Sequence, residues 1–195
     1  MIHNSLAFLV LAAISVFAAA VVHQTGSHDH AIDVNQSKIT VYVFKQGIFS
    51  FAADNHEISA PIASGAFNDA SMTIDVSVDA AKMKVLDPKL PVNRRDQVQA
   101  NMIGPQVLDA VKYPTIGFRS SAIAIGKGNV WTVTGDLQLH GQSHPVTFQV
   151  TKVDATHFQG AAVVKQSAFG ITPIRIAGGT VSVKDDVKII FEIVL

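Results

Sequence analysis

The chain has 195 residues, enough for one domain with a full core and hardly enough for two. Its 15 lysines and arginines balance 15 aspartates and glutamates, so no basic field draws it to nucleic acid or to anionic lipid. Cysteine is absent, which removes disulfides, thiolate nucleophiles and thiolate metal sites together.

The first stretch, Leu6 to Val22, is almost unbroken apolar, and no Lys, Arg, Asp or Glu precedes Asp29. Ala18-Ala19-Ala20 offers a small-residue site, so residues 1–20 read as a secretory leader cut after Ala20. The other reading is an uncleaved anchor, whose helix would span roughly 25 Å against a hydrocarbon core of ~30 Å. Either reading places the remainder outside the cytoplasm, periplasmic or secreted. Residues 21–36 read as a polar linker. His28 and His30 form an H-x-H pair, but with no third ligand in view the reading is a solvated tail rather than a metal clip.

The folded domain is expected over residues 37–195. Ile39, Val41 and Val43 alternate with Thr40, Tyr42 and Phe44 as a first strand, and Lys45-Gln46-Gly47 turns the chain into Ile48-Phe49-Ser50-Phe51. Ala60-Pro61-Ile62 reads as a short edge piece, demoted by its proline. Met72, Ile74, Val76 and Val78 alternate with polar residues as the next strand. From Arg94 to Val111 the period changes: Val98, Met102, Val107, Leu108 and Val111 recur at helical spacing, with Asn93 placed as N-cap. Gly104-Pro105 divides this stretch into two short pieces. One helical insertion inside a strand series is no βαβ repeat, so no parallel sheet is expected.

Strands resume at Ile116, Phe118, Ile123 and Ile125, and residues 126–129 form a turn. The clearest pattern in the chain follows. Trp131, Val133, Leu137 and Leu139 alternate with polar residues, Gly135 sits on the apolar side, and after a turn at residues 140–143 Val146, Phe148 and Val150 resume the alternation. This is a hairpin with one face in water and the other against core or cargo. Phe158, Ala162 and Val164 then share one face, Phe169-Gly170-Ile171 and the Gly178-Gly179 corner follow, and Asp185-Asp186 reads as a turn into a closing strand with Val187, Ile189, Phe191 and Ile193. About eight strands, short turns and one short helical insertion predict an all-β, antiparallel barrel, which encloses either packed side chains or one small ligand.

The segments Asn93-Arg94-Arg95-Asp96, Gly104-Pro105-Gln106-Val107-Leu108-Asp109, Tyr113 to Ser120, Gly135 to Gln142, Phe169-Gly170-Ile171 and Ala177-Gly178-Gly179-Thr180 resemble the YceI-like family, in that family's order from about Ser37 to the C-terminus. The resemblance implies an extended, lipocalin-like antiparallel barrel, exported to the periplasm, with an apolar tunnel for polyisoprenoid or similar lipid chains. The chain departs from the family's usual pattern at Ser143-His144, at Ala168 and at Ala53-Asp54-Asn55-His56. These positions bear on head-group preference more than on fold.

Two functional classes compete. In the first, the protein is a non-enzymatic carrier without cofactor or metal, holding an isoprenoid or other long-chain amphiphilic lipid. Met72, Ile74, Phe118, Trp131, Val133, Leu137, Leu139, Phe148 and Phe191 are its expected ligand-binding wall, and Arg94 and Arg95 are candidates to meet a head group. Burying ten methylenes at ~0.8 kcal/mol each yields about 8 kcal/mol before binding costs, so such a site needs few polar contacts. In the second, His56, His140 and His144 converge on zinc as a metal-dependent hydrolase. Ser143 beside His144 is only adjacency, and no G-x-S-x-G, glycine-rich phosphate loop or H-E-x-x-H is present. A filled barrel with a structural role in the envelope is a third reading. The sequence leaves the oligomeric state open, a homodimer included. The leader reading predicts that the exported protein starts near Val21, which intact mass checks; a full-length product in the membrane fraction would favour the anchor.

Overall fold

The computed structural model describes residues 28–47, 55–176, 178 and 180–195. The leader and the expected Ile48–Phe51 segment lie outside the described residues. The elements are β1 (Asp29–Ala31), β2 (Lys38–Gln46), β3 (His56–Ser59), β4 (Ile62–Asn68), β5 (Thr73–Asp79), β6 (Lys84–Val85), α1 (Val92–Ile103), β7 (Thr115–Ile125), β8 (Val130–Leu139), β9 (Gln142–Lys152), β10 (His157–Lys165), β11 (Arg175–Ile176) and β12 (Val181–Val194). Their pairings are antiparallel and run β1-β4-β5-β7-β8-β9-β10-β12-β2-β3-β6, with β11 added beside β12. The described residues thus hold 12 strands rather than about eight. The additional ones are short, and periodicity cannot register two to four residues.

The sheet curls into a half-barrel whose ends are joined through the chain. Here the proline finds its use. β3 pairs with β2 and β4 pairs with β5, and only Ala60-Pro61 separates them. Pro61 has no N–H to give to a ladder, so the strand changes partner at that point, and Ile62 opens β4 instead of closing an edge piece. A second crossing follows β1: the Ile32 N–H donates to Gly65 O at 3.0 Å and the Asp33 N–H to Val194 O at 2.8 Å, carrying the chain from β4 to β12. Part of the stretch read as linker therefore belongs to the fold. Asp29–Ala31 pair with β4, Ile32 is buried, and His28 and His30 hydrogen-bond the Asp69 carboxylate at 2.9 and 3.1 Å. Those hydrogen bonds, His30 first, hold the Asp69 carboxyl below the ordinary carboxylate range.

Other local expectations shift for identifiable reasons. α1 begins at Val92 with Pro91 as its N-cap, because the Pro91 carbonyl already accepts from the Arg94 and Arg95 N–H groups; Asn93 lies inside the first turn. Beyond Gly104 the chain makes turns rather than a second helix, so Leu108 is buried while Val111 is 96% exposed. Met72 precedes β5 in a left-handed turn with φ 52°. Asp185-Asp186 is not a turn but a register shift within the fourteen-residue β12: Asp185 accepts from the Ser167 N–H and hydroxyl, and Lys165 reaches Asp186 at 2.9 Å. The β8–β9 turn is two residues long, with His140 at φ 51° and Gly141 at φ 74°, the twist a tight hairpin requires.

Buried apolar residues form two clusters rather than one. Ile58, Val78, Met83, Val85, Met102 and Leu108 pack beneath α1, and Ile32, Phe67, Trp131, Val133, Phe158 and Ile193 pack around the indole. β8 begins in the second cluster with Trp131 and Val133 and ends against the first with Leu139. Gly135 makes room for the wall between them: a Cβ there would sit 2.3 Å from Arg119 O and 2.6 Å from the tip of the Phe118 ring. Gly135→Ala is expected to lower stability by about 1–3 kcal/mol through this overpacking, read as a reduced melting temperature. An unchanged melt would contradict the register between β7 and β8.

Candidate functional site

The inward side chains of β2, β3, β4, β5, β7, β8, β9, β10 and β12 share one apolar cavity of about 260 Å³. Alternation explains who lines it. Every second residue of a pleated strand points the same way, so Val133, Leu137 and Leu139 of β8 meet Val146, Phe148 and Val150 of β9 on one face. The wall is not close-packed. Ile74, Val76, Phe118, Leu137, Phe148, Ala162, Ile189 and Phe191 face inward and are only half-buried. A filled core would bury them. The volume exceeds the ~150 Å³ of an apolar cavity that stays dry and takes up benzene.

Phe118, Phe148 and Phe191 form a row along the wall, with ring centroids 5.3 and 5.4 Å apart. At the indole end, Trp131 lies 5.4 Å from Phe158 and 6.2 Å from Phe67, and Lys152 reaches over the Trp131 and Phe158 rings. Of the nine expected wall residues, Ile74, Phe118, Trp131, Val133, Leu137, Leu139, Phe148 and Phe191 line the cavity. Met72 does not; it packs against the indole cluster from its turn. Arg94 is exposed and Arg95 partly so, both in the first turn of α1 and outside the lining. The sequence reading missed Met83, Met102 and Leu108 as wall residues beneath α1, and it missed Gln166. Gln166 follows β10 in a short 3-10 turn, where no period marks an inward position.

The histidines take other partners. The His56 ring nitrogen meets the buried Asp87 carboxylate at 2.6 Å, His140 meets Phe169 O at 3.1 Å, and His144 meets the Gln142 side-chain oxygen at 3.2 Å. Among the described residues no group of three His, Cys, Asp or Glu side chains is arranged to hold a metal ion.

The model of the YceI-like domain matches residues 30–195. The chain belongs to the YceI-like family. Among solved structures, BcnA of Burkholderia cenocepacia is 27% identical at a TM-score of 0.61, over 84% of this chain and 99% of that one. A polyisoprenoid binding domain from Saccharophagus degradans, implicated in plant cell wall breakdown, is 13% identical at a TM-score of 0.59, over 84% of this chain and 95% of that one, and shares the fold. Comparison with curated proteins gives no match. The mostly β, antiparallel fold with one α-helix among the described residues agrees with the expected class.

Leu137 tests whether this YceI-like wall is as open as its half-buried side chains indicate. It pairs in register with Phe118 and His144 and faces the cavity, while Gln138 beside it is exposed. Leu137→Trp should therefore shift the melting temperature of the lipid-free protein no more than Gln138→Trp does. A closed core would lose about 1–3 kcal/mol to the larger ring, and a marked drop confined to Leu137→Trp would show the wall to be packed.

Proposed function

We propose that this protein is an exported, non-enzymatic carrier that holds the chain of an amphiphilic lipid, isoprenoid first among candidates, inside its half-barrel. One observation carries the reading: a continuous apolar cavity bounded by two packed clusters, with half-buried aliphatic and aromatic side chains between them. Those side chains gain about 25 cal/mol for each Å² that a ligand removes from water, so a long apolar chain binds by wall area alone. Ile74, Phe118, Trp131, Val133, Leu137, Leu139, Phe148 and Phe191 are the contacts we assign to it. Shared fold with the Saccharophagus polyisoprenoid binding domain supports trying an isoprenoid before a straight acyl chain.

The competing readings draw less support. A zinc hydrolase needs His56, His140 and His144 on one ion, and each of these is engaged elsewhere. A filled structural barrel needs a packed interior. Export rests on the apolar run and Ala18-Ala19-Ala20; among the described residues no helix is long and apolar enough to cross a membrane.

Native mass spectrometry of the protein taken from the compartment to which it is exported tests the reading. The expected result is a retained mass of lipid size, one per chain, released by organic solvent. Protein that emerges bare and also fails to take up any chain lipid offered to it would overturn the carrier assignment.

A further inference from the structure

The wall of the cavity is apolar except at two places. One is the indole of Trp131, set among Phe67 and Phe158; the other is Gln166, just past the far end of β10. Phe158 and Gln166 are separated by roughly 25 Å of chain at ~3.3 Å per residue, so the two polar groups mark opposite ends of the cavity. Gln166 is buried, at 9% exposure. Its Nε2 donates to Lys184 O at 2.7 Å, which fixes the amide's orientation, since a backbone carbonyl can only accept. Its Oε1 then has no donor among the described residues. No buried side-chain oxygen or nitrogen in the described structure is both sealed from solvent and unpaired, so this oxygen is not sealed, and Gln166 is the one amide side chain of the cavity lining. No Lys, Arg or His lines the cavity with it.

We infer that Gln166 is the polar anchor of the site and that it selects a neutral, hydroxyl-bearing end group on the bound lipid, a prenol rather than a prenyl phosphate. The inference rests on the carrier reading above and adds the chemistry of the head. An amide oxygen with free lone pairs in apolar surroundings is an acceptor awaiting an O–H. A phosphate or carboxylate at the same position would surrender its hydration with no cation in the cavity lining to meet it, a loss far larger than one hydrogen bond returns. An ionised head is thereby kept out, whereas an alcohol is drawn in. Its chain then runs from Gln166 past Phe148 and Phe191 toward Trp131.

Four ligands offered to the delipidated exported protein separate the cases: geranylgeraniol, its methyl ether, the matching hydrocarbon without oxygen, and geranylgeranyl phosphate. The alcohol should bind about three- to tenfold more tightly than the hydrocarbon, the worth of one neutral hydrogen bond. The ether, which cannot donate, should bind like the hydrocarbon, and the phosphate should be weakest. In Gln166→Leu the alcohol's advantage should vanish while hydrocarbon affinity stays, which also shows the variant to be folded. The ether comparison needs only the natural protein, so a Gln166→Leu chain that fails to fold does not remove the test. Equal binding of alcohol, ether and hydrocarbon would overturn the role of Gln166 and leave the carrier reading standing. Phosphate binding as tightly as alcohol would place the head in water, within range of cations such as Arg94 and Arg95, and would overturn it as well. Failure of all four to bind would remove the carrier reading and this assignment together.

Discussion

A sheet with one apolar face has to bury that face against something. Among the described residues there is one α-helix, of 12 residues, and no second sheet to do it. The long strands each put aliphatic and aromatic residues on alternate positions, and α1 with its following turn covers only one end. The sheet must therefore cover itself, and wall faces wall across an interior. Every other feature follows from how tightly that closure is drawn. Pro61 lets one strand serve two neighbours, and the crossing at Ile32 and Asp33 ties β4 to β12.

Closure of this kind does not by itself leave a void. In this half-barrel the ends are packed and the middle is not. Trp131, Phe67 and Phe158 fill one end, Met102, Leu108 and Val85 the other, and the Phe118–Phe148–Phe191 row stands along the wall between. Gly135 and Gly160 make this possible, since a side chain at either would strike the ring of Phe118 or Phe191. The interior is thus held open by the wall's own curvature and by bulky rings seated over glycines. That arrangement gives up dispersion contacts a filled core would have, and a bound chain restores them.

Much of this was legible in the sequence. The β8–β9 hairpin announced itself by alternation and a glycine turn, and eight of nine residues chosen for their apolar side do line the cavity. Met72 was misplaced because a left-handed turn residue breaks the period that its neighbours Ile74 and Val76 keep. The sequence pattern failed where one residue has two pairings or none. Asp185 and Asp186 resemble a turn, yet they bind Ser167 and Lys165 across the sheet from within a bulged strand. His28 and His30 read as tail because Asp69, which organises them, is 41 and 39 residues away. Gln166 carried no signal at all: its position on the wall arises from the turn after β10, which periodicity cannot reach. Hollow and filled barrels use the same residues, so the void itself needed coordinates.

The chain contains 1 tryptophan, and it lines the cavity. Fluorescence of Trp131 therefore reports on the interior and nothing else. The most direct test of the account is quenching of that fluorescence by a prenyl lipid brominated at the tail. If the chain lies inside the half-barrel, quenching saturates at one lipid per protein and is reversed by an unbrominated competitor. Lipid that binds at the same stoichiometry without quenching Trp131 would mean that the chain is held outside, and the central claim would fail.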